Sequence, residues 1–173
     1  MKTRTLIGLL SAALVALPAA AHAQEHGHNF WIGGAFGLEA TDGFSGYQFR
    51  ADGEVPVTRL NPKVLVSGVG TFAYSGLSHG VSVWKLLPAA RFAVATSPVL
   101  DLYGDLGLGI YHAWNSAAGS TGAVMRIGGG ADYLLNPNLK LWGDLALNPH
   151  FGDFGPDSSK TTFTLVVGLK GGF

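Results

Sequence analysis

Taken two residues at a time, the chain separates into an apolar series and a polar one over most of its length. At its end, Phe163, Leu165, Val167, Leu169, Gly171 and Phe173 fall on one side, and Thr162, Thr164, Val166, Gly168, Lys170 and Gly172 on the other. A period of two marks a β-strand with one apolar face. The alternation predicts eight strands, over residues 30–39, 47–57, 63–74, 82–95, 99–112, 123–134, 139–148 and 161–173. Each is long enough to supply the roughly 9–11 residues that a tilted strand needs to cross a bilayer. The 26 glycines of the 173 residues recur inside these apolar segments, which argues against helices and for closely packed strands.

The breaks between segments are of two kinds. "RLNPK", "ATSPV" and "LLNPN" are tight turns in which Pro62, Pro98 and Pro137 follow Asn or Ser. "TDGFSG", "SGLSHG", "AWNSAAGST" and "PHFGDFGPDSSK" are longer and polar. Short turns on one side and longer loops on the other predict an all-β fold, an eight-stranded antiparallel up-and-down transmembrane β-barrel. The stretches "VLDLYGDLGL" and "NLKLWGDLAL" echo each other after two of the proline turns, as a repeated hairpin design.

Charge sharpens this picture. The apolar faces, such as Phe30, Ile32, Phe36 and Leu38 or Leu100, Leu102, Leu106, Leu108 and Ile110, carry none. The opposite faces carry Glu39, Arg50, Asp52, Glu54, Lys63, Lys85, Arg91, Asp101, Asp105, Arg126, Asp132, Lys140, Asp144 and Lys170. A charge facing lipid at the bilayer midplane costs about 2–4 kcal/mol, so lipid enforces such a division. Eight strands enclose a space that side chains just fill, so no wide pore is expected. Arg50, Asp52, Glu54, Arg91, Asp101, Asp105, Arg126, Asp132, Lys140, Asp144 and Lys170 are predicted to form a charge network in the lumen, because buried charges require partners. Trp31, Leu65, Val69, Leu87, Tyr103 and Trp142 share those faces and fit a packed interior. Asp101 and Asp105, four residues apart among bases, read as network members rather than an acid–base pair. Pro88 interrupts a predicted strand, and "LLPAA" reads as a bulge. Phe30, Tyr47, Tyr74, Trp84, Tyr133 and Phe173 lie near strand ends, as interfacial girdles do.

The first residues carry Lys2 and Arg4, an apolar stretch from Leu6 to Leu17, and the small-residue site Ala21-His22-Ala23. This predicts a signal peptide over residues 1–23 and a barrel domain over residues 24–173. Without Lys2 and Arg4, 9 basic residues stand against 11 acidic ones, and no basic patch points to nucleic acid. The chain has no cysteine, so no disulfide holds this exported domain together.

The final strand, with Leu165, Val167 and Leu169 at alternate positions before Phe173, resembles that of the small OmpA/OmpX-type outer-membrane β-barrel proteins. The resemblance extends as a pattern over residues 24–173, with Gly171 standing where that family more usually has a larger apolar residue. It implies a porin-like location in the outer membrane of a Gram-negative bacterium, with both termini in the periplasm. It also implies recognition of Leu165, Val167, Leu169 and Phe173 by the β-barrel assembly machinery. The expected role is structural or at the cell surface, as a monomer among outer-membrane lipids.

Other chemistry is weaker in the sequence. "QEHGH" places His26 third after the predicted cleavage, where an amine, two backbone nitrogens and imidazole surround Cu(II) or Ni(II), with His28 as a further ligand. A solvated tail accounts for the same residues, and no cofactor is expected. Ser78, His79, Ser82, His112, Ser116 and His150 lie near predicted outer ends, but their spacing differs from the His-x-Ser motif of lipid-modifying barrels. The chain is therefore not expected to be an enzyme. "IGGGADY" follows no strand-to-helix pattern and is not a phosphate loop. A soluble exported β-barrel that binds a small apolar ligand is the alternative, and it would turn the apolar faces inward.

Overall fold

The computed structural model describes residues 29–154, 157–158 and 160–173. The predicted leader, with His26 and His28, lies outside the described residues. Every alternating segment is a strand: β1 (Trp31–Thr41), β2 (Phe44–Asn61), β3 (Val64–Leu77), β4 (Val81–Ser97), β5 (Leu100–Trp114), β6 (Gly119–Asn136) and β7 (Leu139–Phe151). A small two-stranded hairpin, β8 (Asp153–Phe154) with β9 (Asp157–Ser158), precedes the last strand, β10 (Thr161–Gly172). Each of the eight long strands pairs antiparallel with its neighbour, and β1 closes on β10 from Trp31↔Gly172 to Ala40↔Phe163. Closure gives backbone donors and acceptors partners without leaving an edge, which is what a strand in hydrocarbon requires.

The strands run beyond most of the predicted limits, chiefly toward the long-loop end. "TDGFSG" is not a long loop: Thr41 pairs with Phe44 across a two-residue turn, Asp42-Gly43, with Gly43 at φ +81°. Glycine carries that positive φ without strain, so the hairpin closes tightly and both strands continue. The β3–β4 connection is the three residues Ser78–Gly80, and β7 continues through His150 to Phe151.

At the other end the three proline turns share one design. Asn61 Oδ1 accepts from Lys63 N at 2.9 Å, Asn136 Oδ1 from Asn138 N at 2.9 Å, and Ser97 Oγ from Val99 N at 3.3 Å. Each side chain thus satisfies the donor two residues on, across a proline that sets φ. A register shift precedes each turn, at Arg59/Asn61, Ala95/Ser97 and Leu134/Asn136. A further shift lies between Pro56 and Thr58, so the regular alternation of β2 ends at Val57. Lys63 sits exposed in its turn rather than on an inward face.

"LLPAA" is not a bulge. Leu86 pairs with Ile110 and Ala89 with Gly107, three steps apart on both strands, so the register does not change. Leu87 and Pro88 lack ladder partners on β5, while Pro88 still lies opposite Gly70 on β3. A proline lacks one N–H, and here that removes a rung on one side without displacing the strand. Pro149 has the same effect on the β6–β7 ladder, which passes from Val124↔His150 to Ile127↔Leu147.

Candidate functional site

The barrel has an apolar exterior and a charged, packed interior. Among the outward positions of the eight strands none is Asp, Glu, Lys or Arg, and Leu38, Leu106, Leu108 and Val167 are each more than half exposed. The structure therefore turns the apolar faces outward, opposite to a soluble ligand-binding barrel. At the long-loop end Tyr74, Trp84, His112 and Trp114 form a ring cluster, with His112 stacked on Trp114 at 5.5 Å. Tyr133 and Phe173 are exposed near the short-turn end.

Inside, the structure brings the eleven predicted lumen residues into one chain of alternating sign. Asp52 takes two hydrogen bonds from Arg50, at 2.8 and 2.7 Å, and one from Thr71 Oγ1 at 2.7 Å. Arg50 Nη1 reaches Asp144 at 3.0 Å, and Asp144 also accepts from Arg126. Arg126 lies 3.7 Å from Asp105, which takes two bonds from Arg91 at 2.8 and 2.9 Å. Arg91 Nη1 bonds Glu54 at 2.8 Å, and Glu54 accepts from Lys170 at 3.1 Å. Lys170 also reaches Asp132 at 3.1 Å, and Lys140 lies 3.7 Å from both Asp132 and Asp101. Asp101, its side chain 30% exposed, marks the wetter end of the chain near the short turns.

The echo in β5 and β7 has a physical meaning here. Tyr103 and Trp142 occupy equivalent positions, as do Asp105 and Asp144 two residues later. Arg91 lies 3.8 Å above the Tyr103 ring and Arg50 4.9 Å above the Trp142 ring, while Lys170 faces both, at 5.4 and 5.0 Å. Desolvated cations over aromatic faces gain about 2 kcal/mol or more. Two of the glycines clear space for these rings. A Cβ on Gly130 would stand 2.7 Å from the Tyr103 hydroxyl, and one on Gly33 would stand 2.6 Å from Lys170 Cγ and 3.2 Å from Trp142 Nε1.

The predicted network omits a separate buried cluster. Glu39 pairs with Lys85 and accepts from Ser75 and from Gln48 Nε2, the last at 2.9 Å. Both charges stand on inward faces in the sequence, but nothing in their spacing shows that they pair with each other and not with the longer chain. Toward the long loops the lumen turns apolar, with Leu77, Val81, Val83, Leu87, Tyr111, Ala113 and Val124 packed together and Phe44 against them. Lys160 Nζ lies 4.6 Å from the Phe44 ring and donates to Asp42 O at 3.1 Å.

Of the rim histidines and serines, His112 and Ser116 line one open hollow with Trp84 and Trp114, whereas His150 is buried. His112 Nδ1 bonds Thr121 Oγ1 at 2.8 Å, Ser78 Oγ accepts from Ser45 N at 3.3 Å, and the His150 ring packs edge-on against Tyr111 at 4.7 Å. At the chain's end, Leu165, Val167 and Leu169 lie on the outer face and Phe173 is 72% exposed. Phe173 N donates to Phe30 O at 3.0 Å. The space over Gly171 is covered by the Phe173 ring, 3.6 Å from where a Cβ would stand.

No protein-family model matches the chain. No curated protein matches it either. Among solved structures it is similar to Neisserial surface protein A (NspA), with a TM-score of 0.69 at 13% identity over 84% of this chain and 97% of that one. A structure from the de novo design of transmembrane β-barrels follows at TM-score 0.55 and 16% identity, covering 87% and 98% of the two chains. The outer membrane enzyme PagL matches at TM-score 0.53 and 14% identity, covering 80% and 97%. At these identities the likeness is one of fold. The chain is an all-β, eight-stranded antiparallel up-and-down transmembrane barrel, with the fold of the small outer-membrane β-barrels.

Proposed function

We propose that this protein is a small barrel of a Gram-negative outer membrane, with a structural or surface role, a closed lumen and no catalytic activity. The observation that carries the reading is the chain of charges from Asp52 to Asp101, which links inward side chains of β2, β4, β5, β6, β7 and β10 across the interior. Groups bonded to each other in this way support a lumen filled by side chains rather than a water path of general-porin width. The apolar belt supports insertion as a monomer among lipids, and the exposed Phe173 with Leu165, Val167 and Leu169 supports recognition by the assembly machinery. The bonds of His112 to Thr121 Oγ1 and of Ser78 Oγ to Ser45 N, rather than to each other, support a non-enzymatic role, although the fold is shared with an enzyme.

The test is to refold the mature chain in detergent and in phospholipid vesicles, compare gel mobility with and without boiling, and record conductance across a planar bilayer. Faster migration of the unboiled sample and no porin-sized conductance are expected. A chain that is folded and monomeric without detergent would contradict the membrane reading. Large, steady channels would contradict the closed lumen. Release of fatty acid from lipopolysaccharide by the purified barrel would contradict the non-enzymatic role.

A further inference from the structure

The outer face of the barrel is indented where β3 and β4 carry small residues. A groove of about 700 Å³ crosses β2 to β6, with Gly53, Gly70, Pro88, Leu108 and Met125 along one row. Its volume is within the roughly 300–1,000 Å³ of small-molecule sites. Five strands at the usual spacing make it roughly 19 Å long. Over that length the groove accommodates an extended apolar chain. Its lining is Gly, Ala, Val, Leu, Pro and Met alone, with no polar side chain to fix a head group. The groove also coincides with the missing rungs at Leu87 and Pro88, and the inward-facing Val69, Ala89 and Gly107 form part of its lining. It is continuous with the apolar belt around it, which includes Phe72 and Phe92.

We infer that this groove holds one acyl chain of a membrane lipid, lying across β2 to β6. The inference rests on the membrane reading above and adds a defined place at which a single lipid is ordered. Over β1 and β10 the wall is built instead by Phe36, Val167 and Leu169, which project, so lipid contact there differs from that over the groove. The position over Gly70 is open, with no atom within 4 Å of an added Cβ, so a larger side chain enters the groove without striking backbone.

The test uses the mature chain refolded into vesicles of a phospholipid that bears a diazirine on its acyl chain. After illumination, adducts are mapped by mass spectrometry. Labelling of Pro88, Leu106, Leu108 and Met125 is expected to exceed that of Phe36, Val167 and Leu169 several-fold for equal exposed area. In Gly70→Leu, and independently in Ala90→Leu, it is expected to fall to the level of that reference wall, with heat-modifiable migration retained. Uniform labelling of the wild type, or undiminished labelling in both filled variants, would overturn the inference while leaving the barrel in the membrane. Labelling of the groove by a free diazirine fatty acid but not by the phospholipid would overturn it as to source. A crosslink between two copies through the groove would overturn it in favour of a dimer. Failure of the wild-type chain to insert would overturn the membrane reading itself, a result visible on the gel before any labelling.

Discussion

Around Arg126 the lumen is filled by charges of alternating sign, whereas around Tyr111, toward the long loops, it is filled by Leu77, Val81, Val83, Leu87, Ala113 and Val124. Both fillings come from the same inward positions of the same kind of strand. In the charged half every group is held by at least one opposite charge, so its packing is directional and depends on partners. In the apolar cluster the packing depends on shape, with the buried pair of Glu39 and Lys85 beside it, Lys85 lying opposite Tyr111. Glu39 and Lys85 form a buried pair outside that chain, and the side chains that bond to it, Ser75, Gln48 and Thr162, are neutral. Removing one charge from a chain leaves the others to compensate, but removing one from a pair does not.

Lys85→Met therefore has the largest expected effect. It leaves Glu39 buried without its cation, and breaking such a pair costs about 3–5 kcal/mol, read from urea unfolding of the barrel in lipid vesicles. Adding Glu39→Leu should restore most of the loss, since replacing both partners by apolar groups is often neutral. A double mutant no better than Lys85→Met would show that the pair is not an isolated unit. In the apolar half, Leu87→Ala should lower stability by about 2–5 kcal/mol through lost burial and a cavity, with the loss unchanged by salt. Sensitivity to salt at that site would erase the distinction between the halves.

On the outside, Leu145→Lys places a charge on the lipid face and should destabilise the inserted barrel by about 2–4 kcal/mol if the position is near the midplane. The same barrel refolded in vesicles of thinner hydrocarbon core should lose less, which checks that lipid and not packing sets the penalty. The smallest effect is expected at a turn. Asn136→Ala removes the side-chain acceptor for Asn138 N and should cost about 0.5–1.5 kcal/mol, the net worth of one hydrogen bond. Slower refolding of this hairpin alone, followed by stopped-flow fluorescence, would sharpen the view that the proline turns set register.

Period two made the strands and their faces readable, because shifting a strand by one residue exchanges its two faces and every charge reports the result. Lys170 is the clearest case, since alternation alone turns it inward among apolar neighbours. What alternation does not encode is pairing across the lumen. The contact of Arg50 with Asp144, 94 residues apart, depends on strand order and register together. Strand ends were blurred for a related reason: Asp42-Gly43 reads as part of a polar loop until the pairing of Thr41 with Phe44 shows that two residues suffice. Pro88 reads as a bulge in sequence because a missing donor is a visible defect there, while an unchanged register on both sides of it is visible only in the ladder. The outer groove is not legible in the sequence because its small residues come from four strands, β2, β3, β4 and β5.

The claim that charge faces inward and apolar surface faces lipid is tested most directly along β10. The native chain has no cysteine, so single cysteines from position 163 to 173 can carry a nitroxide, one at a time, in reconstituted bilayers. Electron paramagnetic resonance should report ready collision with oxygen at 163, 165, 167 and 169, and little collision with either oxygen or a water-soluble nickel complex at 164, 166, 168 and 170. Water-soluble relaxant reaching the first set, or reaching the second set as freely as bulk water, would contradict a closed barrel turned apolar side out.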